Sequence, residues 1–488
     1  MFEKLLRTIG NTAAGKAPAL DKDTIAELLR TTPEALDAFE SAYAARNMNE
    51  ESTDIFHINS RQAAALNHER ALPDAKPADF AYAKGLQERI VGELLAKTPV
   101  YFFDGNLDKM VRPRVLPDGY HPVTNDEIQA LPEDMRPQLA GNLMTSDITG
   151  LSCPGVLFYY DMYLNSEDPK KRKFAYDHFR QGLDILDLDP VTYEIIGTNR
   201  NSIGHWLPQL VEACRGQEFF RIPATAVAKV PLPLLQLTRL EYSALSPATL
   251  SIVDAWTREA FHLDGSKEYF VKTGTYSSKY DFRNCHVRGE KEVRELGEYL
   301  LFVHFQALQM ASPLAQPTIY GASTTNEWAV REFIPDKERN PCIYEGMPLH
   351  TEYRVFVDCD TDEVLTIVPY WDPETMKQRL GREDDAATPQ KLHDYVIYKA
   401  HEETLMRRYH ANKDAVASHI REILPALDLH GQWSIDVMQN GGDFWLIDMA
   451  VAENSSFYNR VPLGLRRPST ENWIPQVIST SKSAMEHH

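Results

Sequence analysis

The chain has 488 residues, 43% of them hydrophobic and 25% charged, which suits a globular protein of about three domains with a substantial core. Acidic side chains outnumber basic ones by 70 to 51, and the net charge of −19 disfavours broad contact with nucleic acid or an anionic membrane. The five cysteines are scattered with no C-x-x-C pair, which argues against a zinc ribbon, a redox motif or a disulfide framework.

No apolar run approaches the ~20 residues that span a bilayer, and the opening MFEKLLRTIGN has no long apolar stretch before a cleavage site, so a soluble cytoplasmic protein is expected. Gly10 to Ala17 comes close to a phosphate-binding P-loop. Ala17 stands where the magnesium-binding hydroxyl belongs, and Pro18 follows where a helix should start, so this segment reads as a surface loop. Thr31-Thr32-Pro33-Glu34 has the residues of a helix N-terminus, and PEALDAFESAYAARN continues with helical periodicity. A second helix is predicted over 79–98, stopped by Pro99. Residues 1–100 thus read as a helical extension, with residues 1 to about 95 expected outside any nucleotide site.

Residues 101–250 begin with a stretch rich in Pro, Asp and Asn, continue with a helical reading over 155–187 broken near Asn165–Pro169, and end in apolar runs between prolines. The pattern then changes. Glu268–Gly274 predicts a strand, Glu290–Ala311 a helix and Glu327–Ile334 another strand. Glu352–Asp358 and Glu363–Pro369 predict a hairpin across Asp360-Thr361-Asp362. Two helices are predicted within 389–427, and Gln432–Met438 and Asp443–Ala450 predict a second hairpin across Asn440-Gly441-Gly442. Strands and helices mixed in this way predict an α+β or α/β catalytic region. Glu486-His487-His488 reads as a tag remnant.

Several residues carry candidate chemistry. Lys272 ends an apolar strand and is followed by Gly274, Thr275, Ser277, Ser278 and Lys279. Small residues let backbone amides approach phosphate oxygens, and a strand-borne lysine supplies a fixed charge. Taken alone, Lys272 reads as an edge-strand lysine before a polar loop. Alternation places Glu352, Arg354, Phe356 and Asp358 on one strand face and Tyr353, Val355 and Val357 on the other. Taken alone, the Glu–Arg neighbours read as a surface ion pair. Asp436 and Asp448 each sit in an apolar strand, where an unpaired carboxylate is costly, so a shared hard cation such as magnesium is expected, with Glu453 and Asn454 within reach. The sixteen histidines show no ligand spacing.

In this order the pieces resemble the ATP-grasp proteins of phages and bacteria, and a eukaryotic cell-division-cycle chaperone that assembles a translation initiation factor. The resemblance covers residues 200–460 and rests on Lys272 with its serine-rich loop, Arg331–Ile334, the Glu-x-Arg strand Glu352–Val357, and the strands bearing Asp436 and Asp448. It implies an α+β fold in which two subdomains, 251–335 and 336–480, sandwich ATP. It implies Lys272, Thr275, Ser277, Ser278 and Lys279 at the phosphates, the backbone of Glu332, Phe333 and Ile334 at adenine, and Asp336 or Glu338 at ribose. It also implies Arg354 facing phosphate or an acyl phosphate, and Asp436 and Asp448 holding magnesium. Where many members carry Asn two residues after the last metal carboxylate, this chain has Ala450, with Asn454 as a substitute. The implied activity is an ADP-forming carboxylate–amine ligase acting on a small-molecule, peptide or protein substrate. The alternatives are an ATP-binding assembly chaperone with little turnover, and a transferase that modifies a protein or nucleic acid, the latter acceptor disfavoured by the net charge.

Overall fold

The computed structural model describes residues 77–104, 110–111, 199–240, 247–310, 325–381 and 389–467, with isolated positions between 127 and 197 and at 245. The loop 10–17, the helix expected after Thr31, the helical reading of 155–187 and the tag remnant lie outside the described residues, apart from single positions in 155–187.

In chain order the elements are α1 (Pro77–Ala96), β1 (Val100–Phe103), β2 (Met110–Val111), α2 (Ile203–Ala213), β3 (Phe220–Arg221), β4 (Thr225–Lys229), α3 (Leu232–Gln236) and α4 (Pro247–Ala260). There follow β5 (Tyr269–Thr273), β6 (His286–Val287), α5 (Gly289–Arg294), α6 (Leu296–Met310), β7 (Glu327–Glu332), β8 (Cys342–Ile343) and β9 (Met347–Pro348). The last are β10 (Thr351–Asp358), β11 (Glu363–Pro369), α7 (Pro373–Leu380), α8 (Pro389–Ile423), β12 (Gln432–Asn440) and β13 (Asp443–Val451). The fold is α+β.

Two sheets organise these elements. The first has six strands in the order β2-β1-β4-β7-β5-β6, all antiparallel. One face presents Val271, Val330, Ala226 and Ala228 to a core shared with Ile90 and Leu94 of α1, Val253 and Trp256 of α4, and Leu300 and Val303 of α6. The second has five strands in the order β11-β10-β12-β13-β3, antiparallel except for β13 with β3. Its Tyr353, Val355, Val357, Ile435 and Val437 pack against α2 and the C-terminal half of α8. The α2 helix also packs on Val227 and Ala329 of the first sheet, so it is the wedge between the two.

Both predicted hairpins form. Asn440 pairs with Asp443 across a two-residue turn in which Gly441 takes a left-handed φ of 67°. Two expectations are corrected. The single helix Glu290–Ala311 is two, broken at Glu295, because Asp254 accepts from the Glu298 amide at 3.1 Å and fixes a new helix start. The two helices of 389–427 are one 35-residue helix followed by a short turn at Leu424–Ala426; 390–423 contains no Gly or Pro, and Pro425 ends it.

Candidate functional site

A cleft of about 150 Å3 lies between the facing surfaces of the two sheets. On β5 and β7, cross-strand pairing of Phe270 with Arg331 and of Lys272 with Ala329 puts Phe270, Lys272 and Arg331 on one face. The five-stranded sheet supplies a row across three strands, because Arg354 pairs with Asp436 and Asp436 with Asp448. Glu352 and its cross-strand partner Met438 form the next row of the same face. Between Asp448 and Leu446 the register slips, leaving Ile447 as the extra residue of a bulge; it lines the cleft and its carbonyl accepts from Arg331.

The charges are arranged in pairs. The buried Lys272 ammonium donates to Asp448 at 2.9 Å, a bond that runs from one sheet to the other. Arg354 and Asp436, both buried, make a bidentate pair at 2.8 and 2.7 Å, and Arg354 also donates to the Ser456 carbonyl. Arg331 is 4% exposed; its Nε donates to Thr225 at 3.1 Å, whereas its Nη2 is buried with no hydrogen-bond partner. Lys279 donates to the Tyr370 hydroxyl and lies 4.1 Å from the centre of that ring, with Arg354 4.7 Å from it.

These surroundings move the proton affinities. Burial raises the Glu352 carboxyl to about 7; Lys279 opposes this and Asp436 adds to it, while Trp371 donates to Glu352 at 3.2 Å. Burial lowers Arg331 to about 10, with Asp448 working the other way. Burial pushes Asp448 up, but Lys272, Arg331 and Lys279 together hold it below the ordinary carboxylate range.

The structure gathers Lys272, Ser277, Lys279, Glu332, Phe333, Ile334, Asp436 and Asp448 around the cleft. Arg354 stands beside them through its pair with Asp436. The other named residues do not line it. The Ser278 hydroxyl is spent on Gln306, and the Thr275 amide points at Thr273. Asp336 folds its own loop, accepting from the amides of Glu338 and Asn340 at 3.0 and 2.6 Å, and Glu338 pairs with Arg408 at 3.0 Å. Asn454 accepts from Asn201 at 2.9 Å, and Glu453 lies in the turn beside it. The amides of Glu332 and Phe333 donate to Ala224 and Glu268, so at these positions the strand's donors serve the sheet.

Sequence reasoning missed Phe270, Phe282, Arg331, His350, Glu352, Met347, Met438 and Ile447 as cleft residues. Two-residue alternation from Lys272 points back to Phe270, and the Glu352–Arg354 face was already legible. Nothing local marks Met347, His350 or the bulge at Ile447. Among the described residues, no three His, Cys, Asp or Glu side chains are grouped to hold a metal ion. The carboxylates of Asp436 and Asp448 are cross-strand partners, each already paired with a cation.

No protein-family model matches this chain, and no curated protein does. Similar solved structures include Cdc123 from Schizosaccharomyces pombe, at 13% identity and a TM-score of 0.28 over 55% of this chain and 88% of that one. C-terminally truncated Cdc123 from the same organism is 11% identical, with a TM-score of 0.30 over 55% of this chain and 93% of that one. Likeness at this level assigns no family, so the reading of the cleft rests on its own residues.

Proposed function

We propose that the cleft binds ATP together with magnesium. The observation that carries this is the meeting of Lys272 and Arg331 from one sheet with Arg354, Asp436 and Asp448 from the other, beside apolar walls from Phe270, Phe333, Met347, Met438 and Ile447. Apolar walls accept a planar base, and convergent cations accept a polyphosphate. The buried, unpartnered Nη2 of Arg331 supports an anionic occupant, because such a donor is costly to leave unmade. Asp436 and Asp448 would hold magnesium, which would neutralise phosphate charge, while Lys272, Lys279 and Arg331 position the phosphates.

The activity proposed for this arrangement is ADP-forming activation of a carboxylate for attack by an amine. With the cations directed to the terminal phosphates, ADP is the leaving group. A second reading, an ATP-binding assembly factor with little turnover, is favoured by a specific observation. The two aspartates, Asp436 and Asp448, are each already paired with a cation, and Ala450 offers no further side-chain ligand. One experiment separates these readings. The protein is incubated with ATP, magnesium and a mixture of amino acids and short peptides, and the nucleotides are then resolved by chromatography. ADP that appears only with an acceptor supports the ligase, and tight binding without turnover supports the assembly factor. AMP as the main product would favour an adenylyl transferase, and no ATP binding would sink the proposal.

A further inference from the structure

We propose that Asp448 is a built-in competitor for Lys272, which keeps metal-free nucleotide out of the cleft and yields only when a divalent cation arrives with the phosphates. This rests on the reading of the cleft as a nucleotide site. The two ion pairs of the cleft are not equivalent. Asp436 is clamped by a bidentate guanidinium, and its side chain is 7% exposed, so exchanging its partner means breaking two bonds in a buried position. Asp448 is held to Lys272 by a single contact at 2.9 Å, and its side chain is 43% exposed, against 3% for the lysine. Asp448 is therefore the half of the pair able to turn away, whereas the ammonium stays in place to receive another anion.

A polyphosphate reaching Lys272 must displace that carboxylate. Without a metal the released Asp448 stands beside incoming anionic oxygens, and like charges in a narrow cleft repel. Arg354 cannot relieve it, being already engaged by Asp436, and Glu352 adds a third acid to the same face. Arg331 offers one buried free donor and already faces the Ile447 carbonyl. With magnesium present, Asp448 exchanges the ammonium for the metal and the phosphate takes the ammonium, so every charge keeps a partner. The ion pair is thus a local selector of metal-loaded nucleotide, and it also ties the two sheets together while the cleft is empty of phosphate.

The test is calorimetric titration of the full chain with ATP in excess magnesium and with ATP in EDTA, and with inorganic tripolyphosphate under both conditions. Wild type is expected to bind ATP at least tenfold more weakly in EDTA. Asp448→Asn is expected to bind metal-free ATP and tripolyphosphate several-fold more tightly than wild type, and magnesium-loaded ATP more weakly, so that the preference for the metal complex collapses. Asp448→Ser serves as a second variant should the amide perturb the fold, checked by circular dichroism. Equal wild-type affinity with and without magnesium, or a variant that loses affinity under both conditions, overturns the inference and leaves the nucleotide reading intact. No binding of any probe by wild type overturns that reading and this one together.

Discussion

Lys272 and Arg354 are both cations paired with aspartate, yet their removal should have opposite consequences. Lys272→Ala frees an Asp448 side chain that is 43% exposed and can be solvated, so the stability cost should be small, about 1 kcal/mol or less. Nucleotide affinity should fall by ~10-fold or more, since a charge-assisted contact contributes about 1.5–3 kcal/mol. Calorimetry and a thermal melt on the same sample check both. Arg354→Ala strands Asp436, which is 5% exposed, and should destabilise the protein by about 3–5 kcal/mol in urea unfolding. Glu352 gives a pH prediction. Its folded carboxyl titrates near 7, above its ordinary value of 4.5. The folded state therefore binds the proton more tightly, so this contribution is full below the ordinary value and is lost as pH rises toward 7. Glu352→Gln should then match wild type near pH 4.5 and exceed it by ~1–3 kcal/mol near pH 8, measured by urea midpoints.

At the scale of elements, the site is built by register. The β10 strand is buried along its whole length, so its two faces must find different partners: Tyr353, Val355 and Val357 go to α2 and α8, and Glu352 and Arg354 go to the cleft. The end of β5 is fixed as tightly. The carbonyl of Gly274 accepts from the Ile203 amide at 2.9 Å, and its amide donates to Glu327, bringing the start of α2 against the strand that carries Lys272. A Cβ at Gly274 would fall 2.0 Å from the Ser202 hydroxyl and 2.4 Å from that of Thr325. Gly274→Ala should therefore push α2 away from β5, destabilising the fold by about 1–3 kcal/mol and weakening nucleotide binding through a displaced Lys272. Unfolding midpoints and calorimetry would show both effects, and an unchanged affinity would separate the strand end from the site.

For the whole molecule, the two sheets meet through α2 on one side and through the cleft contacts on the other, where Lys272 reaches Asp448 and Arg331 reaches the Ile447 carbonyl. An occupant touching both walls binds the folded chain and not the unfolded one. Magnesium–ATP at ~100-fold above its Kd should then raise apparent stability by about 2.7 kcal/mol. The urea midpoint with and without nucleotide measures this, and no shift at saturating ligand would place the binding elsewhere.

The sequence alone determined the strands and most of their faces. The alternation through Glu352–Asp358, the turn at Asn440-Gly441-Gly442 and the small residues after Lys272 are local signals, and each names a local structure. It also placed Lys272, Asp436 and Asp448 as charged residues in apolar strands, where partners are required. Which partners they take was decided only in three dimensions. That Asp448 meets Lys272, 176 residues away, and Asp436 meets Arg354 follows from the pairing of sheets and the bulge at Ile447. The same holds for Asp336 and Glu338, acidic and near the strand end, which the tertiary structure gives to a loop and to Arg408. A carboxylate's sequence neighbourhood states that it needs a cation or a donor; only the packed chain brings one within 3 Å of it.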